Sequence, residues 1–281
     1  MKIGLVMEGG AMRGMFTAGV IDVMMERGIT FDGAVGVSAG AVFGCNYKSH
    51  QIGRVIRYNK RYCRDKRYVS LRSLIKTGNL YGVDFAYHLL PEKLDPFDTG
   101  TFENSPMEFY VVCTDADTGK PVYHKCEKGD AEDLEWMRAS ATMPLAGDIV
   151  NIDGQNLSDG GTADSIPIEF FRSIGYEKNV VILTQPLGYK KKKNKFLPII
   201  RVALKKYKGL INALEERPIH YNETIKKIAE LEREGNTFVI RPGEDLKIGA
   251  VEHNPNELER VYQLGRAAAK MRMDELLKFI S

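Results

Sequence analysis

Ser38 stands in Gly36-Val37-Ser38-Ala39-Gly40, a G-x-S-x-G pentapeptide. The chemistry open to such a serine is nucleophilic attack on an acyl carbonyl. Three things must then surround it: a sharp turn that lifts the hydroxyl into a cleft, a base to take its proton, and N–H donors for the developing oxyanion. The turn can be read locally. Ala34 and Val35 form a short apolar run before it, and the small-residue stretch from Ala39 to Gly44 can open a helix. Gly36 and Gly40 permit close backbone approach, and the new helix aims its unpaired N–H groups and positive dipole end at the same spot. Taken alone, the pentapeptide reads equally well as an ordinary Gly/Ser/Ala turn.

Donors are offered by a second stretch. Lys2 to Val6 is a short apolar run suited to a buried strand, Glu8-Gly9-Gly10-Ala11-Met12-Arg13-Gly14 follows, and Met15 to Glu26 has helical spacing ended by Gly28. A strand, a Gly-rich loop and a helix present backbone N–H groups to an anion. A nucleotide-phosphate loop is disfavoured, because neither G-x-G-x-x-G nor G-x-x-x-x-G-K-[ST] is present. An oxyanion-stabilising loop and a structural turn remain.

The base is chosen by local context. Of the five histidines, His50, His88, His124, His220 and His253, the candidates in the Ser…Asp…His order of α/β-hydrolases are His220 and His253. Neither lies in a short loop after a clear strand: His220 is within helical or inter-helical sequence and His253 is near a helix start. Asp159 is better placed. It ends a strand-like segment, and Gly160-Gly161 let the chain turn so that its carboxylate reaches a cleft.

Charge is distributed unevenly. The chain has 281 residues and a formal net charge of +3, yet residues 51–76 carry +8 and residues 186–211 carry +9, leaving −14 for the rest. Two basic islands on an acidic body suggest a localised anionic partner. In the first, Arg54, Arg57, Arg61 and Arg64 recur at helical spacing with Tyr58, Tyr62 and Tyr68 between them. A solvated helix face and an anionic-surface patch are the two readings; no recognition motif supports nucleic acid. In the second, Lys190, Lys191, Lys192, Lys193 and Lys195 run into Phe196, Leu197, Ile199 and Ile200. That pattern suits a membrane-surface segment, or a charged loop before an ordinary amphipathic helix. Cys45, Cys63, Cys113 and Cys126 show no C-x-x-C or His-flanked spacing, so no metal site is expected. With no leader-like segment and no long apolar run, the expected setting is cytoplasmic, with peripheral contact at an anionic membrane.

Four blocks appear in one order: Gly9-Gly10-Ala11-Met12-Arg13-Gly14, Gly36-Val37-Ser38-Ala39-Gly40, Ala139-Ser140-Ala141-Thr142-Met143-Pro144 and Asp159-Gly160-Gly161. In this the chain resembles the patatin-like phospholipases. The resemblance covers roughly the first 160 residues and implies a Ser-Asp dyad in place of a triad, with Ser38 as nucleophile and Asp159 as base. It implies an oxyanion hole built from Gly9, Gly10, Ala11, Arg13 and Gly14 with Ala39 of the elbow. It also implies an acyl ester of a phospholipid or lysophospholipid as substrate, with no cofactor. Ala11 departs from the pattern, since the family often has a third glycine there. Arg13 either steers a phosphate headgroup or pins the glycine loop, the latter being favoured, and Met143-Pro144 shapes the cleft wall. A Ser-His-Asp esterase for small esters and a non-catalytic lipid-binding protein on the same fold are the rivals.

The remaining segments predict an α/β protein. Strands are expected at Phe109 to Thr114, in hairpins around Asp117-Gly119 and Asp153-Gly154, at Lys178 to Thr184 and at Thr237 to Ile240. Helices are expected at Asp130 to Ala141, Glu223 to Glu234 and Pro255 to Ile280, with Leu80 to Asp98 rich in loop. Alternation of the two implies three layers, a mostly parallel sheet with helices on both faces, in a single domain of residues 1–281.

Overall fold

A computed structural model describes residues 1–281. Eight strands form one sheet: β1 (Ile3–Met7), β2 (Gly33–Val37), β3 (Glu108–Asp115), β4 (Pro121–Cys126), β5 (Val150–Ile152), β6 (Gln155–Asp159), β7 (Lys178–Ile182) and β8 (Thr237–Ile240). Their order is β5-β6-β3-β2-β1-β7-β8, with β4 also paired to β3. The pairings β3-β2, β2-β1, β1-β7 and β7-β8 are parallel, and those of β3 with β4, β3 with β6 and β5 with β6 are antiparallel.

The central strands are apolar on both sides because both faces are covered. On β1, Leu5 and Met7 enter one buried cluster with Phe16, Phe43 and Val261, while Val6 enters the other with Phe171, Tyr221 and Ile228. The first layer holds α1 (Gly14–Glu26), α2 (Ala39–Lys48), α3 (Arg54–Tyr62) and α10 (Pro255–Met271); the second holds α7 (Ile168–Ser173) and α9 (Lys208–Arg233). The C-terminal third is therefore built into the same body: β8 extends the sheet, and Tyr262 of α10 donates to Asp22 of α1 at 2.8 Å.

One edge of β3 is shared by two strands. β4 takes one side of it from Phe109 to Thr114, so β2 and β6 must use the other. There β2 pairs up to Val37 opposite Val112, and β6 takes over with Asp159 opposite Cys113. β2 leaves the sheet at the serine turn, and the hairpin β5-β6 fills the vacated edge.

Several elements differ from expectation. Asp84–Leu94 is one π-helical segment that runs through Pro91, where a loop-rich stretch with only a short helical part was expected. The charged helix begins at Lys208 and continues through Pro218, because its apolar residues Leu210, Leu214, Tyr221 and Ile228 are all buried. The final helix divides at Arg272, whose guanidinium donates to the Val239 carbonyl at 2.6 Å, giving α11 (Met273–Ile280).

Candidate active site

The serine turn is strained in the way its sequence demands. Ser38 has φ 54° and ψ −121°, a left-handed conformation that exposes its hydroxyl and that residues with side chains seldom adopt. A Cβ on Gly36 would collide with the Gly40 carbonyl, and one on Gly40 with the Met7 carbonyl, so the two glycines let the elbow close against β1. Ser38 is buried, and its Oγ–H donates to Asp159 Oδ2 at 2.6 Å across 121 residues of chain.

Asp159 is fixed on every side. Its second oxygen accepts the Gly161 N–H at 2.8 Å, its own N–H donates to the Thr142 carbonyl, and its carbonyl accepts from Thr114 Oγ1 at 2.8 Å. Burial raises its carboxyl above the ordinary range. The Arg217 guanidinium, the Ser38 hydrogen bond, the Gly161 amide and the Lys191 ammonium pull the other way. A carboxyl raised in this way is a better base, once ionised, than a solvated aspartate.

The glycine loop faces the elbow: a Cβ on Gly9 would lie 3.2 Å from Ser38 Cβ, and one on Gly14 would lie 2.8 Å from Ala39 Cβ. Not every amide in it is free. Gly9 N–H donates to the Ser165 carbonyl at 3.4 Å, Arg13 N–H to Gly10 at 3.0 Å, and Gly14 N–H to Ala11 and Met12. The amides of Gly10, Ala11 and Ala39 make no hydrogen bond within the protein. Ala11 has φ +47°, so its methyl occupies a conformation where glycine is at ease.

The Ala139 to Pro144 block contributes more than a cleft wall. Ser140 Oγ accepts the Ser38 N–H at 2.9 Å and donates to the Val112 carbonyl at 2.6 Å. The sequence marked the block without marking this serine. Met143 does line a wall, that of an apolar cavity beside the elbow. Ala11, Ala39, Val42, Leu90 and Phe97 also line it.

None of the five histidines bonds Ser38. His124 bonds Asp133 at 3.3 Å, His253 lies 2.6 Å from the Cys63 carbonyl, His88 and His220 face glutamates, and His50 is exposed at the end of α2. His124, Cys126 and Asp133 bring potential metal-ligand atoms within 4.8 Å of one another. The carboxylate is already engaged there, one oxygen with His124 and the other with the Lys128 and Gly129 N–H groups, which closes a loop.

Both basic islands need correction. Arg54 is buried at 4 % exposure, donating to the Asp95 carbonyl and to Asn46. Arg57 forms a two-pronged pair with Asp95 at 2.8 Å. Arg54 is therefore a fold-holding group, because burying a guanidinium requires its donors to be satisfied, whereas Arg57 stays exposed with its fork tied to Asp95. Arg61 stays exposed, and Tyr58, Tyr62 and Tyr68 belong to the core. In the second island Lys190, Lys192, Lys193 and Lys195 are exposed, whereas Lys191 turns inward and rests 4.3 Å over the Tyr221 ring.

A buried hydroxyl on a strained strand-to-helix elbow is thus bonded to an aspartate from a neighbouring hairpin of the same α/β sheet. The family model described as "Patatin-like phospholipase" matches residues 5–172, and the chain belongs to that family. A second model, of a domain of unknown function (DUF6363), matches residues 207–281. The chain is similar to the uncharacterized protein YjjU of Escherichia coli (strain K12), 28% identical over 96% of this chain and 76% of that protein. It is also similar to lysophospholipase nte1 of Aspergillus oryzae, 26% identical over 62% of this chain and 11% of that protein. An uncharacterized NTE family protein of Mycobacterium tuberculosis, Rv1063c, is 27% identical over 64% and 48%. This chain thus spans only about a tenth of the fungal relative and half of the mycobacterial one. Among solved structures, VipD from Legionella pneumophila aligns over 98% of this chain and 67% of its own with a TM-score of 0.47 and 17% identity.

Proposed function

We propose that this protein is a serine acyl hydrolase that cleaves acyl esters of phospholipids or lysophospholipids with a Ser38–Asp159 dyad. The observation that carries this reading is the 2.6 Å hydrogen bond from the Ser38 hydroxyl to the buried Asp159 carboxylate at the elbow. Membership of the patatin-like phospholipases and the printed name of the fungal relative, a lysophospholipase, support the substrate class.

In the reaction, Ser38 Oγ attacks the ester carbonyl while its proton passes to Asp159 Oδ2. The carbonyl oxygen, now negative, is received by the amides of Gly10, Ala11 and Ala39, aided by the N-terminal end of α2; each such donor is typically worth about 3–4 kcal/mol. Asp159 returns the proton to the leaving alkoxide, and an acyl group remains on Ser38. A water molecule then attacks the acyl-enzyme, giving its proton to Asp159, and the carboxylic acid leaves with Ser38 restored. The acyl chain lies in the apolar cavity beside the elbow. No cofactor enters any step.

Peripheral membrane contact belongs to the same reading. Phe196, Ile199 and Val202 are 63%, 59% and 75% exposed at and along α8 (Leu197–Ala203), next to the exposed lysines. Apolar side chains beside cations suit the headgroup boundary of an anionic bilayer.

The test is labelling of Ser38 by a fluorophosphonate, followed by hydrolysis of a lipid panel. Labelling that is lost in Ser38→Ala, with release of fatty acid from a phospholipid or lysophospholipid, supports the reading. A folded protein that neither labels nor hydrolyses any ester supports the non-catalytic rival. Loss of activity on replacing a single histidine supports the triad rival.

A further inference from the structure

Two cations from separate parts of the chain, Lys191 and Arg217, stand near Asp159, and a third, Arg13, stands near Lys191; none has a carboxylate of its own. Lys191 is drawn inward because Asn222 of α9 clamps its backbone. The Lys191 N–H donates to Asn222 Oδ1 at 2.9 Å, and Asn222 Nδ2 donates back to the Lys191 carbonyl at 3.1 Å. Arg217, one turn earlier on α9, donates from Nε to Ser165 Oγ at 3.3 Å. Its Nη2 lies 3.0 Å from the point where Gly161 would carry a Cβ, and Gly161 is the residue whose amide holds Asp159. Arg13, from the glycine loop, has a buried Nε with no partner.

None of the three forms an ion pair. The acids that face them are occupied. Glu8, buried at 1% exposure, accepts the Thr184 N–H at 2.6 Å and the Tyr221 hydroxyl at 2.8 Å. Asp159 is held by Ser38 and Gly161. The cluster therefore carries excess positive charge in a poorly solvated place, an arrangement that costs stability unless an anion arrives. Burial bears hardest on Lys191, whose ammonium is lowered to about 7, with Arg217 and Arg13 adding repulsion.

The cluster is also separate from the apolar cavity, whose walls include Ala11, Ala39 and Met143 but none of Arg13, Lys191, Arg217 or Asp159. Acyl chain and charged part of a substrate thus have different places around one serine. Two guanidiniums and an ammonium match a phosphate better than a carboxylate, because the forked donors can take several oxygens at once.

We infer that Lys191 and Arg217, with Arg13, form a subsite for a phosphate carried on the alcohol side of the substrate, so that phosphate-bearing acyl esters are selected over neutral ones. Its use in catalysis rests on the hydrolase reading; its capacity to bind phosphate does not. Lys191 and Arg217 lie outside the four sequence blocks; the sequence offers Lys191 only as part of the second basic island and does not single out Arg217.

The test compares a lysophospholipid with a monoacylglycerol of the same chain, using the full chain and the variants Lys191→Gln, Arg217→Gln and Lys191→Arg. Losing one charge-assisted contact is expected to lower kcat/KM on the lysophospholipid roughly tenfold more than on the monoacylglycerol, whose loss reports only the change at Asp159, with Lys191→Arg close to the parent. Equal losses on both esters, or none on either, overturn the subsite. A calorimetric arm needs no turnover: sn-glycero-3-phosphocholine and inorganic phosphate are titrated into the parent and both Gln variants. Glycerophosphocholine binding weakened in the variants supports the inference. Binding of inorganic phosphate alone, or no binding of either, overturns it. A parent that binds glycerophosphocholine yet hydrolyses no ester removes the hydrolase reading and leaves the subsite standing.

Discussion

Ser140 Oγ holds the backbone N–H of Ser38 at 2.9 Å while giving its own proton to Val112 O at 2.6 Å. One hydroxyl thus pins the elbow to β3, the strand that also positions Asp159. Ser140→Ala would leave a buried N–H unsatisfied, a cost of roughly 1–3 kcal/mol. The expected outcome is a fall in kcat of about tenfold to a hundredfold with KM little changed, because the strain of the elbow is released before substrate arrives. Ser140→Cys, with a weaker acceptor, should fall between. An unchanged kcat in steady-state assays of Ser140→Ala counts against a positioning role.

Asp159→Asn and Ser38→Ala should each reduce ester hydrolysis by roughly 10²–10⁴-fold or more. Stability should move differently. The Asp159 carboxyl is raised by burial, so its contribution to stability is present in acid and is lost as pH rises through that value. Wherever the group is ionised in the fold, its charge is a cost that asparagine removes. Asp159→Asn is therefore expected to melt at or above the parent temperature at neutral pH. Calorimetry showing a large drop would mean that the carboxylate stabilises the fold.

Ala11→Gly tests the departure in the glycine loop. Alanine to glycine usually costs about 0.5–1 kcal/mol, but an L-residue in the left-handed region itself costs roughly 1–2 kcal/mol. With φ at +47°, the two effects should offset, so thermal denaturation is expected to show no loss or a slight gain. A drop of several degrees would show that the methyl packs usefully against the apolar cavity that Ala11 lines.

Activity on a phosphate-bearing ester should decline as pH rises through about 7, while activity on a neutral ester should not, because Lys191 loses its proton there. The groups facing Lys191 are Glu8 at the end of β1, Arg13 in the glycine loop, Asp159 on β6, and Arg217 and Tyr221 on α9. Glu8 and Asp159 favour the charged form and the two arginines oppose it. Bound phosphate favours it further, so the decline should appear in KM before kcat. The same pH profile for both esters, measured as kcat/KM, would remove Lys191 from substrate selection.

Replacing Lys190, Lys192, Lys193 and Lys195 with glutamine should weaken sedimentation with anionic vesicles, each exposed lysine near the surface contributing about 1 kcal/mol. Lys191 is left out because it points into the protein. Phe196→Ser should weaken binding even where salt screens the lysines, since its contribution is apolar. Binding unaffected by both changes, at low salt, would separate this surface from membranes.

The fold and the elbow at Ser38 were legible in the sequence because each depends on local rules, while the contact of Ser38 with Asp159 was suggested by the family resemblance. Short apolar runs bounded by glycine read as buried strands, and two glycines flanking Ser38 admit few conformations besides an elbow. What the sequence hid was direction. Arg54 and Arg57 have the spacing of a solvated face, yet Asp95, about forty residues away, captures both. Lys191 sits in a run of four lysines, and only the clamp from Asn222, thirty-one residues later, turns it inward. Ser140 was hidden for the same reason, since its partners Ser38 and Val112 are neighbours in space and not in sequence. The Pro218 helix was underestimated because tertiary burial outweighs the missing N–H.

The joint tenancy of one edge of β3, by β2 up to Val37 and by β6 from Asp159, acts as a caliper. A two-residue slip of the β5-β6 hairpin would keep every side chain on its proper face and still carry the carboxylate about 6.8 Å from the hydroxyl. Such a protein would be well folded and inert. Residues that lock hairpin alignment, such as Asn151 bonded to Asn156 across its turn, are thus as exposed to selection for turnover as the reacting pair itself.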